Sequence, residues 1–194
     1  NTMNTRKNTK KFITVAVLIS LGVVLSLFDR LISQGILSLL PGFAMIAPNF
    51  KLGLANIIIL LLLYNYGPTL TLLGVTLKVL ILALFNPNGA PMSFGGSYLS
   101  FFVMYLLFKL TKNIKYIIFV SAVGGFAHSL GQIIFGFLWY GLIDIKNLIL
   151  QGEVNYDILI YSPVMLILGL ITGVLIGLIA MQLHKTFKFN NIKQ

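Results

Sequence analysis

The chain has 194 residues, of which 58% are hydrophobic and 9% charged, with a formal net charge of +10 and a mean hydropathy of +0.96. A soluble domain carries about 25% charged residues, so these charges are too few to clothe a water-facing surface, and the composition is that of an integral membrane protein. Cysteine is absent, which excludes disulfides, thiolate metal sites and thiol catalysis.

Six apolar stretches follow in chain order: Phe12–Phe28, Leu52–Tyr66, Thr69–Phe85, Phe94–Phe108, Tyr116–Tyr140 and Ile158–Leu183. Each is read as a transmembrane helix, since one crossing takes about 20 residues. The cuts between them fall at Asn65-Tyr66-Gly67-Pro68, at Asn86-Pro87-Asn88-Gly89-Ala90-Pro91 and at Lys112-Asn113, all turn or polar breaks. The second stretch is short. Either it borrows length from Pro48–Lys51 or its helix stops inside the membrane. The expected organisation is one domain: a basic tail over residues 1–11, a six-helix bundle over 12–183 and a second basic tail over 184–194.

Charge sets the expected orientation. Arg6, Lys7, Lys10 and Lys11 precede the first helix; Lys109, Lys112 and Lys115 join the fourth to the fifth; Lys185, Lys188 and Lys193 follow the sixth. Six spans place all of these on one side, and short basic segments stay cytoplasmic. Both termini are therefore predicted to be cytoplasmic. The four acids, Asp29, Asp144, Glu153 and Asp157, then fall on the outer side. Basic tails beside anionic lipid account for the net charge without nucleic-acid binding. No small-x-small cleavage site precedes Asp29, so the first apolar run reads as a retained helix.

Two connectors are unusual. Asp29–Phe50 is mostly apolar and is expected to be a half-buried loop on the outer face, because non-helical backbone at that depth must pack on protein or a wet cavity. Gly141–Asp157 is expected as a second, more polar outer loop, either a lid or packing filler.

The candidate site comes from polar groups that are costly inside a bilayer. Lys78 lies seven residues inward from Phe85, about 10 Å deep. A lysine there costs ~2–3 kcal/mol on insertion scales, so an inward cavity is favoured over snorkelling to the headgroups. His128 and Gln132 are four residues apart and share one helix face. With Lys51 and Asn56 at the start of the second helix, these residues can occupy the outer half of the membrane. Buried positive charge with no acid nearby predicts an anionic ligand bearing phosphate or carboxylate. Ser97 and Tyr98 join the candidate set, and the paired Gly95 and Gly96 beside Ser93 suggest backbone N–H groups meeting a ligand at a helix N-terminus. Phe94, Tyr98, Trp139, Tyr140 and Tyr161 read mainly as an interfacial aromatic belt. Gly169, Gly173 and Gly177 form a doubled GxxxG ridge for helix packing, and Ala16 with Ser20 forms a lesser small-residue patch.

The segments Pro48-Asn49-Phe50-Lys51-Leu52-Gly53-Leu54-Ala55-Asn56, Ser93-Phe94-Gly95-Gly96 and Gly125-Phe126-Ala127-His128-Ser129-Leu130-Gly131-Gln132 resemble the Gx transporter family, whose members are often labelled heptaprenyl diphosphate synthase component I. That family is similar to the substrate-binding S components of energy-coupling factor (ECF) transporters. The resemblance implies an all-α, S-component-like bundle of six transmembrane helices in the bacterial cell membrane. It also implies a ligand site near the outer surface, and partnership with a transmembrane coupling subunit and two ATPase subunits. Contact with the coupling subunit would run through helix one, where S components commonly carry Ala-x-x-x-Ala and this chain has Ala16-x-x-x-Ser20. Members tend to have Arg where Lys78 stands and Asn where Ser129 stands.

The leading expectation is thus a capture subunit without catalysis or a cofactor of its own, and with a flavin (FAD or FMN) as transported ligand. That ligand choice rests on the resemblance, because relatives of this kind occur beside flavin-transfer genes. The chain has no GxxxxGK[ST] nucleotide loop, so energy would come from the ATPases. A prenyl diphosphate is the second ligand choice. An accessory role in prenyl diphosphate synthesis is the alternative, although that chemistry needs clustered aspartates for Mg²⁺ and no two acids here are adjacent. A metal transporter has only His128 and His184 to offer as imidazole ligands. A purely structural membrane subunit would explain the glycine ridge and leave Lys78 unexplained.

Overall fold

The structure is a computed structural model that describes residues 2–39, 52–151 and 157–187. Among these residues it is all α: α1 (Thr2–Leu39), α2 (Ala55–Tyr66), α3 (Pro68–Phe85), α4 (Ala90–Thr111), α5 (Ile117–Gln151) and α6 (Asp157–Phe187), with one 3₁₀ turn at Ile114–Tyr116. Five helices are long and apolar enough to cross a membrane, and α2 is a shorter apolar helix. The protein is a multi-pass membrane protein.

The breaks follow local chemistry. Gly67, at φ +86°, separates α2 from α3, and Pro68 occupies the first position of α3, where its missing N–H costs nothing. Lys112 closes α4 in the left-handed region.

Two expected loops turn out helical. α1 does not stop at Phe28 but continues through Leu39. Leu31–Leu39 contains only one weak breaker, Gly35, and the strong pair Pro41-Gly42 comes later. Likewise α5 runs on through Gln151, because no proline interrupts Leu142–Gln151 and Gly152 is the next stop signal. The stretch expected as a basic tail before Phe12 forms the opening turns of α1 from Thr2 onward. The remainder of the expected outer loops, residues 40–51 and 152–156, lies outside the described residues.

α2 is the axis of the bundle. It contacts α1, α3, α4, α5 and α6, and Leu60, Leu62 and Leu63 are wholly buried. A helix apolar on every face belongs in this position. The strongest pairings around it are α5 with α6 and α4 with α5, and glycine makes both possible. A Cβ on Gly125 would collide with the carbonyl of Gly169, and one on Gly173 would lie 2.6 Å from the Ser121 carbonyl. The Gly169/Gly173/Gly177 ridge therefore packs within the bundle, against α5.

Candidate functional site

At 12 residues, α2 is about 18 Å long against the ~30 Å of a bilayer's hydrocarbon core. Its N-terminal end therefore stops within the bundle, and the space above it is where the polar side chains gather. The entry to the helix is built by Asp29 on α1. Its carboxylate accepts the Leu52 N–H at 2.9 Å and the Gly53 N–H at 2.8 Å. Gly53 adopts φ +79°, a conformation open to glycine at no steric cost. Its carbonyl then accepts the Asn56 N–H at 2.8 Å to start the helix.

Asp29 requires a correction. The sequence pattern assigns it to an outer loop, with no acid near the buried cations. Because α1 stays helical past residue 28, Asp29 is carried into the bundle, where it is 5% exposed and faces the same cavity as Lys78. That cavity spans about 630 Å³ of space between atoms, counting the part open to solvent. Among the described residues, its charged lining combines one carboxylate with one ammonium.

Five sequence-predicted residues converge there: Asn56, Lys78, Ser97, His128 and Gln132. Lys78 is 5% exposed, so it lies inside the bundle rather than along its outer surface. His128 and Gln132, one helical turn apart on α5, line the cavity together with Asp29 of α1. Lys51 lies outside the described residues. Tyr98 does not line the cavity. Its hydroxyl is hydrogen-bonded to Thr76 Oγ1 at 2.9 Å, and its ring packs on Phe94 with centroids 4.5 Å apart, so it ties α4 to α3. Ala16 and Ser20 are exposed on α1, clear of both cavities and of the core.

Gly95 and Gly96 also differ from expectation. α4 begins at Ala90, which puts both glycines beyond its first turn, where amides bond within the helix. Their missing side chains admit α5 instead. A Cβ on Gly95 would overlap the Phe135 ring and sit 2.6 Å from the Gly131 carbonyl, and one on Gly96 would sit 2.9 Å from the His128 carbonyl. This close approach is what holds His128 and Gln132 beside Ser97.

A second cavity of about 530 Å³, again counting its open part, lies between α4, α5 and α6. It shares Gly53, Asn56, His128 and Gln132 with the first. Met104, Met165, Leu168 and Ile176 supply its apolar surface, and Ser121, Ser129 and Thr172 its hydroxyls. Apart from Ser129, noted through the family resemblance, these residues are not singled out by the sequence, because single hydroxyls and methionines on apolar helices are indistinguishable by pattern from packing. Asp29 did carry a signal: an acid following an apolar helix, with no proline and only the weak breaker Gly35 in the next ten positions.

Among the described residues, no three His, Asp or Glu side chains come together as a metal-binding group. The model of the family described as heptaprenyl diphosphate synthase component I matches residues 18–183. No curated protein and no solved structure matches the chain.

Proposed function

The chain belongs to the heptaprenyl diphosphate synthase component I family, and from that premise we propose that it is the substrate-binding S component of an ECF-type transporter. It captures a small anionic aromatic ligand, a flavin such as FAD or FMN, from the outer side of the bacterial cell membrane. The observation that carries this reading is the cavity above α2, where Lys78, Asn56, Ser97, His128 and Gln132 meet. Lys78 offers a cation to a phosphate, and the amide and hydroxyl groups offer hydrogen bonds at fixed positions. Asp29, fixed to the Leu52 and Gly53 amides, suits a ligand with hydroxyls as well as phosphate better than it suits a bare diphosphate.

The chain itself performs no chemistry. Capture is followed by reorientation of the bundle against a coupling subunit, driven by two ATPase subunits. Ala16 and Ser20, exposed on α1, are the small residues available for that contact. The charge asymmetry of the connectors supports cytoplasmic termini, and so an outward-facing site.

The family description favours a second reading, an accessory role in prenyl diphosphate synthesis or carriage of a prenyl diphosphate. One titration separates the two. The purified protein in lipid nanodiscs is titrated with FMN, FAD and farnesyl diphosphate by calorimetry. Saturable binding of FMN or FAD with no heat from farnesyl diphosphate supports the flavin reading, and the reverse pattern replaces it with the prenyl one.

A further inference from the structure

The two cavities are chemically unlike, and they meet along one polar wall. Toward α1 and α3, the chamber holds the charged side chains Asp29 and Lys78 with Ser93 and Ser97. Toward α6, the chamber holds no charged side chain among the described residues. There Met104 and Met165 are 2% and 7% exposed, and the hydroxyls of Ser121, Ser129 and Thr172 sit among them. Between the chambers stand Asn56, His128 and Gln132, which line both.

We infer that the ligand is bipartite, with a planar heteroaromatic ring held between α4, α5 and α6 and a phosphorylated polyol arm passing Asn56 and Gln132 to Lys78. This rests on the flavin reading and assigns the two halves of the molecule to the two chambers. Methionine thioethers make favourable contacts with aromatic rings and adapt to their shape. Hydroxyls around such a surface match the carbonyl and N–H edge of a heteroaromatic ring. A prenyl chain offers the Ser121 and Ser129 hydroxyls no hydrogen-bond partner, at a cost in an apolar environment. Thr172 is already engaged as a donor, since its Oγ1 bonds to the Leu168 carbonyl at 2.9 Å, so it meets the ring as an acceptor for a ring N–H. The charged chamber has the opposite character. A lysine buried beside serines is suited to a phosphate, and Asp29 can accept hydrogen bonds from the hydroxyls of the arm.

The close helix approach also explains why the ring chamber is narrow. Gly125, Gly169 and Gly173 bring the backbones of α5 and α6 into contact and form part of the chamber's surface.

The test uses the full chain in nanodiscs with three probes: lumichrome, which is the ring alone; riboflavin, the ring with its polyol; and FMN, which adds the phosphate. Lys78→Gln is expected to weaken FMN by about tenfold or more, the scale of a lost charge-assisted hydrogen bond, and to leave lumichrome unchanged. Thr172→Leu is expected to weaken all three probes by a similar factor. Met165→Leu, which conserves volume and so guards against a folding defect, is expected to weaken all three by a smaller factor through loss of the thioether–ring contact. Equal loss of lumichrome and FMN in Lys78→Gln would overturn the assignment. So would unchanged lumichrome binding in both ring-chamber variants, while wild-type FMN binding kept the flavin reading intact. If the wild-type protein binds none of the three probes, the flavin reading itself fails and the bipartite assignment fails with it.

Discussion

The carboxylate of Asp29 accepts a hydrogen bond from the Gly53 N–H at 2.8 Å, across 24 positions of sequence. With its companion bond to the Leu52 N–H, this contact pins α1, ten residues before its end at Leu39, to the start of α2. It fixes the height at which α2 begins, and so the floor of the space above it.

Asp29→Asn keeps the shape and removes the charge. Hydrogen bonds to charged groups contribute about 1.5–3 kcal/mol, and a loss of that order is expected in denaturation followed by helical circular dichroism. Lys78→Gln in the same background is expected to be non-additive, with a coupling of about 0.5–3 kcal/mol, because both side chains face one cavity. Simple additivity would show that the two charges do not sense each other.

Glycine substitutions separate packing from propensity. Alanine in place of a helical glycine is intrinsically favourable by about 1 kcal/mol, and Gly35→Ala is expected to show that gain, since nothing lies within 4 Å of the added carbon. At Gly131 the same carbon would strike the Gly95 carbonyl. There the net effect is expected to reverse, with destabilisation of about 1–3 kcal/mol from overpacking. Thermal melts of the two variants, run side by side, read the opposite signs.

Tyr98→Phe is expected to cost about 0.5–1.5 kcal/mol of stability through loss of the bond to Thr76. FMN affinity should not change, because Tyr98 lines neither cavity. A marked fall in affinity at unchanged stability would return Tyr98 to the binding site.

Ser20→Trp places a bulky group on an exposed part of α1. Stability and FMN affinity are expected to stay at wild-type values, while copurification with the coupling subunit and ATPases is lost. Retained copurification would move the partner contact elsewhere on the bundle.

The hydropathy pattern made the spans legible, and the polar residues inside them pointed to one region of the bundle. Asn56, Lys78, Ser97, His128 and Gln132 do meet, because helical periodicity and depth are properties of the chain alone. Helix ends were less legible. The stretches after Phe28 and Tyr140 lack strong breakers, and apolar sequence without a breaker reads equally well as a greasy loop or a longer helix. The misplacement of Asp29 follows from that ambiguity, and with it the expectation of uncompensated positive charge. Gly95 and Gly96 failed for a different reason. A glycine marks a close approach without saying whether a ligand or another helix makes it, and here α5 does.

The brevity of α2 has an electrical consequence. Where aqueous space reaches down to Gly53, the insulating column thins from ~30 Å to about the 18 Å that α2 itself spans. A transmembrane voltage then falls mainly across that thinner column. An anion resting above α2 has crossed little of the potential, so the ~2.3 kcal/mol per elementary charge per 100 mV is met chiefly in the step that carries it past the helix. On the proposed capture cycle, loading is then expected to be nearly insensitive to voltage and delivery to carry the sensitivity.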